Sequence, residues 1–214
     1  MRVSNAPSDS ASEPRLPDLV LASGSPRRRQ LLQRAGIVHR VIESGFDDAT
    51  MRLAQGTDVC GSVLALAWAK AVAANRLVDA GTGEAILAAD TICEVEGRLL
   101  GKPRDAAEAG TMIRSLADRE HRTVTAVCLL DPSRHRRLLW AEVARVRIGS
   151  LLDRAIEDYL ASQAWRGKAG GYSFDERVAA GWPISCEGDP EVVLGLPTAS
   201  VRRRARALAG GERR

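Results

Sequence analysis

The 214-residue sequence is poor in the residues that most often announce a chemistry. It has four cysteines, Cys60, Cys93, Cys128 and Cys186, and no two of them form a C-x-x-C pair. That spacing speaks against a zinc site and a disulfide framework, and points to reduced thiols in a cytoplasmic setting. The three histidines, His39, His121 and His135, stand apart, and none is assigned a catalytic role. No Ser-His-Asp or Cys-His arrangement is evident. No apolar run approaches the ~20 residues a membrane-spanning helix needs. The polar opening "MRVSNAPSDSASEPRLP" lacks the apolar segment of a secretory leader, so neither a membrane nor export is expected. A large charge of one sign is also missing, since 31 basic against 27 acidic residues leave a net +4 on a mixed surface. The basic stretch "VRRRARALAGGERR" reads as a solvated helix end or frayed terminus, so a nucleic-acid partner is not expected.

What is present is ordinary globular material, 45% apolar and 27% charged, enough for one large domain or two small lobes. Residues 1–17, rich in Ser, Pro and Ala, are expected to be a disordered tail, 18–205 the domain, and 206–214 a basic tail. "DLVLAS" (18–23) reads as a buried strand, with Ser25 as N-cap and Pro26 as first residue of a helix that Gly36 stops. "IVHRVIES" is a second strand, and a long helix capped by Asp58 follows. "AILAAD" (85–90) reads as a strand ending on its aspartate, and "TICEVEGRLLG" as a hairpin turning at Glu96-Gly97. Asp105 and Glu108 open a helix to about Ala117. "RTVTAVCLL" and "RRLLWAEVARVRIG" read as paired strands, "LDRAIEDYLAS" as an amphipathic helix, and "EVVLGLPTASVRRRARAL" as a strand, a turn and a last helix near Pro197. Alternating helices and strands without an internal repeat predict an α/β (mixed α+β) fold with a mixed sheet.

The stretch "LASGSPRRRQLL" (21–32) places three arginines at a helix start, where the helix dipole repels them unless an anion is bound. Unpaired N–H groups, the hydroxyls of Ser23 and Ser25, and the guanidiniums of Arg27 and Arg28 suit phosphate oxygens. An exposed helix whose arginines face water would look the same. "GRLLGKP" (97–103) resembles a phosphate-binding P-loop but is one residue short, and Pro103 stands where that motif needs a hydroxyl; Lys102 still has the reach for a phosphate. Asp90, at its strand's carboxyl end, is placed to hold Mg²⁺ or orient a water, or to cap a turn. Asp47-Asp48 offers further oxygen ligands or simply a loop. Lys70 sits in an alanine- and leucine-rich helix, where lysines usually snorkel. Lys168 stands among glycines that let a ligand approach the backbone, as a surface loop also does.

Taken in order, "LASGSPRRRQLL", "SGFDDA" (44–49), "LALAWAKA" (64–71), "AADT" (88–91), "LLGKPRDAAEAGTMIRSLADREHRTVTAV" (99–127), "GKAGGY" (167–172) and "GDPEVVLGLP" (188–197) resemble the Maf family of nucleoside triphosphate pyrophosphatases. The resemblance covers about residues 18–205. It implies a long twisted mixed sheet flanked by helices, two lobes with a nucleotide cleft, an inosine-triphosphatase-like fold and a homodimer. The implied reaction cuts a nucleoside triphosphate between its α and β phosphates, with Mg²⁺, or Mn²⁺ or Co²⁺, as cofactor. Ser23, Arg27 and Arg28 would bind the triphosphate, Lys70 and Lys102 add positive charge, Asp90 activate water or hold the metal, and Asp48 be its partner.

The chain departs from the family pattern in three places. Asp48 stands where the family has glutamate. Gly167 precedes Lys168 where dTTP/UTP-type members have aspartate, and Phe174-Asp175-Glu176 replaces their Ile-Gln-Gly. An aspartate at 175 is a pure hydrogen-bond acceptor and would favour a base edge with an amino or ring N–H group. The lean is to pyrimidine triphosphates such as dTTP and UTP, with a modified nucleotide as the other candidate. The rival reading is a non-catalytic regulator of septum formation, which would have little use for Asp90, Lys102 and the arginine loop together.

Overall fold

In the computed structural model, which describes residues 15–46 and 58–210, strands and helices alternate as the sequence pattern requires. The order is β1 (Leu19–Ala22), α1 (Pro26–Arg34), β2 (His39–Ile42), α2 (Val59–Asn75), β3 (Ala85–Val95), β4 (Arg98–Leu100), α3 (Ala106–Leu116), β5 (Arg119–Asp131) and β6 (Arg136–Ile148). There follow α4 (Asp153–Ala161), α5 (Phe174–Ala179), β7 (Ile184–Glu187), α6 (Pro190–Leu194) and α7 (Thr198–Gly210). The strands form one seven-stranded sheet in the order β2-β1-β3-β5-β6-β7, with β4 paired to β3. The first three are parallel and the rest antiparallel, which makes the sheet mixed, as expected.

Period-2 alternation sends each strand's apolar residues to both faces, so both need a cover. On one face Val63, Ala67, Ala71 and Ala74 of α2 pack on Val20, Ile86, Ala88, Val124 and Ala126. Small residues at this spacing let the helix lie close to the sheet, and Asp58 starts it by accepting from the Cys60 and Gly61 N–H groups at 3.1 Å. On the other face Leu31 and Leu32 of α1 join Leu194, Leu196, Val201 and Leu208 over Leu19, Leu21, Leu87, Val127 and Leu129. A third cluster, around Ile113, Leu116, Ile148, Ile156, Tyr159 and Trp165, gathers α3 and α4 at the far end of the long strands.

The site follows from a mismatch in strand length. β1 pairs with β3 only through Leu21↔Leu87, and β4 joins β3 from Cys93 onward. Residues 88–92 therefore have β5 on one side and, among the described residues, no strand on the other. The loop after β1 and the start of α1 stand beside that open edge.

Several expectations change. Asp90 does not end its strand: β3 runs on to Val95, because register with β5 carries it past the end of its parallel partner. Asp90 still lies just beyond the carboxyl end of β1. Ser25 occupies the N-cap of α1, but its side chain makes no cap bond. "EVVL" is helical, since Asp189 caps it through the Glu191 N–H at 2.9 Å, Pro190 opens it, and Gly195 at φ 103° stops it after one turn. α5 and β7 are short elements that the sequence pattern does not predict. The turn at Glu96-Gly97 is as expected, with both residues at positive φ, the geometry that two-residue hairpins favour. Asp47, Asp48 and residues 1–14 lie outside the described residues.

Candidate active site

Arg27 and Arg28 are neighbours in sequence with opposite fates. Arg28 spends four N–H donors on the protein: Nε on the Gly195 carbonyl at 2.9 Å, Nη1 on the Ala89 carbonyl at 2.7 Å and Ser23 Oγ at 3.2 Å, and Nη2 on Thr91 Oγ1 at 3.1 Å. The Ala89 carbonyl lies two residues past the last β1 partner, so the guanidinium takes the acceptor that β1 no longer reaches. Arg27, half-buried, forms no hydrogen bond with the described residues, and its charge acts on Asp175 and Tyr159.

The hydroxyls have fixed roles. Thr125 Oγ1 donates to the Val192 carbonyl at 2.7 Å, and Thr91 Oγ1 lies 2.9 Å from Thr125 Oγ1. A hydroxyl has one proton, so Thr91 must donate to Thr125 and accept from Arg28. Ser23 Oγ accepts from Arg28 and from the Ser25 N–H at 3.3 Å. Both lone pairs are occupied and its proton goes to no described residue, so Ser23 is a donor beside the unpartnered first turn of α1.

On the opposite face of β3, Lys70 Nζ reaches Asp90 Oδ1 at 2.6 Å, and each residue is only 8% exposed. The two residues singled out from separate stretches thus form one buried ion pair. Asp90 Oδ2 takes no hydrogen bond from the described residues. Glu43, just past β2, lies beside the phosphate-loop candidate, its Oε1 3.8 Å from where a side chain on Gly24 would begin.

A second wall comes from the glycine-rich segment. The Gly170 N–H donates to the Gly101 carbonyl at 3.0 Å, which lays the segment along the exposed Lys102. Lys168 is paired with Glu176. Asp175 is exposed, and its Oδ1 accepts from Ser173 Oγ at 2.6 Å and the Glu176 N–H at 3.0 Å. Partial burial pushes its carboxyl upward, but these hydrogen bonds and the charge of Arg27 outweigh it and hold the group below the usual carboxylate range.

Thr91, Thr125 and Gly195 were missed as individual residues. A signal existed for Gly195, because φ 103° is a glycine conformation and a Cβ there would meet Thr91 Oγ1 at 3.3 Å and Arg28 Nε at 3.5 Å.

Among the described residues no cluster of three or more His, Cys, Asp or Glu forms a metal cage. The donor set still suits Mg²⁺, which commonly takes one or two carboxylates and completes its shell with substrate phosphates and waters. The Asp90 carboxylate is of the type such a site uses. Two hollows elsewhere, one of about 400 Å³ at Arg15, Gly83 and Arg134 and one of about 390 Å³ at Trp68, Asn75 and Arg137, share no residue with the site.

Residues 18–208 match the family model described as Maf-like protein. A dTTP/UTP pyrophosphatase of Nitrobacter winogradskyi is 40% identical over 92% of this chain and 92% of its own. Those of Bradyrhizobium diazoefficiens (38%, over 92% and 91%) and Rhizobium meliloti (38%, over 84% and 86%) are similar too. Among solved structures, the Ham1 protein of Staphylococcus aureus aligns over 61% of this chain and 71% of its own at 13% identity and a TM-score of 0.37.

Proposed function

The chain belongs to the Maf-like protein family, and from that premise we propose that it hydrolyses a nucleoside triphosphate to the monophosphate and pyrophosphate. The observation that carries the reading is the buried Lys70–Asp90 pair at 2.6 Å, on the strand segment that β1 leaves open beside the Ser23 loop. The relatives' shared name, dTTP/UTP pyrophosphatase, supports the substrate class.

The triphosphate lies against the start of α1. It takes the Ser23 hydroxyl proton, the Ser25 loop, first-turn N–H groups and the free guanidinium of Arg27, with Lys102 and Lys168 approaching from the glycine-rich wall. Lys70 holds Asp90 Oδ1 and leaves Oδ2 to face the attacking water. Asp90 Oδ2 accepts the water's proton as its oxygen attacks the α-phosphorus, the bond to the bridging oxygen breaks, and pyrophosphate leaves with the electron pair. A divalent metal, Mg²⁺ in the first instance, would be held by Asp90, with Asp48 as second ligand. When bound it would neutralise charge developing on the phosphates. Asp175 meets the base: one acceptor oxygen facing outward suits the single ring N–H of uracil or thymine, in keeping with a pyrimidine preference. The working form is a cytoplasmic homodimer.

The test is a pyrophosphate-release assay over canonical and modified nucleoside triphosphates, with Mg²⁺ or Mn²⁺ and an EDTA control. Metal-dependent release from dTTP and UTP is expected. A folded protein that yields no monophosphate and pyrophosphate from any base overturns the reading.

A further inference from the structure

We infer that Arg28 is a positioning residue that aims Asp90, and that the triphosphate is bound by Arg27 without it. This rests on the pyrophosphatase reading for what Asp90 does, and on the geometry for what Arg28 does.

Three observations carry it. First, Arg28 contacts both residues that flank Asp90: Nη1 holds the Ala89 carbonyl at 2.7 Å and Nη2 holds Thr91 Oγ1 at 3.1 Å. Residue 90 lies on the one stretch of β3 with no strand on its open side, where nothing else among the described residues fixes the backbone from that direction. The guanidinium does there what a paired strand does elsewhere, while Lys70 holds the carboxylate from the other face.

Second, the donors are spent in a directed chain. Arg28 donates to Thr91, Thr91 to Thr125, and Thr125 to the Val192 carbonyl. Nε is held separately by the Gly195 carbonyl at 2.9 Å. A phosphate drawing on any of these four N–H groups would have to break a bond of this network and leave its acceptor without that donor, a costly exchange. Arg27 has no such bonds to give up.

Third, the clamp is shaped for a planar fork. Gly195 adopts φ 103°, and a Cβ on it would crowd Thr91 Oγ1 at 3.3 Å and touch Arg28 Nε at 3.5 Å. The helix end at residue 195 therefore packs against the guanidinium in a backbone conformation that strains any residue but glycine. A lysine keeps the charge but lacks the fork geometry that reaches several acceptors in one plane.

The experiment compares Arg28→Lys with Arg27→Ala in the full-length protein. It measures kcat and KM with dTTP, affinity for a non-hydrolysable α,β-methylene triphosphate by calorimetry, and the thermal midpoint. Misplacing a catalytic group by about an ångström can cost about 100-fold. Arg28→Lys is therefore expected to lower kcat roughly 10- to 100-fold while analogue affinity stays within about threefold. Arg27→Ala is expected to weaken analogue affinity about tenfold or more, the loss of a charge-assisted phosphate contact. Gly195→Ala, which disturbs the clamp from its other side, should reproduce the Arg28→Lys pattern and serves if the lysine variant does not fold. Loss of analogue affinity in Arg28→Lys equal to that in Arg27→Ala overturns the inference, as does an unchanged kcat. If wild-type protein turns over no nucleotide, the pyrophosphatase reading falls. The affinity arms still decide between the two arginines.

Discussion

The two faces of β3 at residues 89–91 differ in what they leave uncommitted. Towards α2, Asp90 and Lys70 make one strong contact, and the second carboxylate oxygen has no partner among the described residues. Towards α1 and α6, Arg28, Thr91 and Thr125 have given their protons to protein acceptors in a fixed sequence. A group that reacts must keep an unsatisfied atom, and a group that positions must not. The strand's alternation puts these two requirements on opposite faces of consecutive residues. Charge alone does not tell the two apart, since each face holds a cation, Lys70 on one and Arg28 on the other.

The largest effect should come from the reactive face. Asp90→Asn preserves shape and removes the charge that accepts a proton from water. Turnover should fall by about 100-fold or more if Asp90 is the general base, with analogue binding largely retained. Rates near wild type would move the base elsewhere and dissolve the contrast. The variant also leaves Lys70 buried opposite a neutral amide, so a lower thermal midpoint should accompany the loss of rate.

That contrast was half legible in the sequence. Ser23, Arg27 and Lys102 point to an anion site by their hydroxyl and cationic groups at loops, Asp90 suits a metal or a water at a strand end, and Lys70 gains a role only through the resemblance. Sequence could not separate Arg27 from Arg28. Both follow Pro26 in the same helical turn, and what divides them is the Ala89 carbonyl, Thr91 and Gly195, up to 167 residues away along the chain. The strand boundary at Asp90 failed for the same reason. Apolar patterning stops there because the residue faces a site, while the backbone continues because β5 pairs with it. "EVVL" looked like a strand since four residues are too few for a helical period to declare itself, and its cap and stop signals, Asp189 and Gly195, decide the matter.

The positioning face extends along β5 to His121, which alternates with Thr123 and Thr125 on the same side of the strand. His121 Nε2 lies 2.7 Å from the Tyr172 hydroxyl, while Nδ1 is buried without a partner among the described residues. Burial pushes its pKa down to about 4 from an ordinary 6.5. The unfolded chain therefore takes up the proton first. The stability tied to a neutral His121 is present above pH 6.5 and drains away as pH falls towards 4, by about 3 kcal/mol in all. Urea unfolding of wild type and His121→Gln between pH 7 and 4 should show the wild type losing that much more than the variant. Parallel curves would mean that the imidazole is not held neutral, and that this face tolerates a charge after all.

The smallest effect sharpens the comparison most, because it touches no charge. Thr125→Val keeps the volume of a fully buried residue and removes the hydroxyl that both receives Thr91 and donates to the Val192 carbonyl. The carbonyl is left without that donor, and Thr91 must turn its proton elsewhere. Such a change costs about 2 kcal/mol of stability, visible as a lower urea midpoint with an unchanged slope. If the chain only packs the sheet, turnover per folded molecule stays at the wild-type value. If it holds the Asp90 segment in register through Arg28, kcat falls severalfold while KM stays put. A fall in stability with no change in kcat would confine the network to packing and leave Arg28 acting on Asp90 through the Ala89 carbonyl alone.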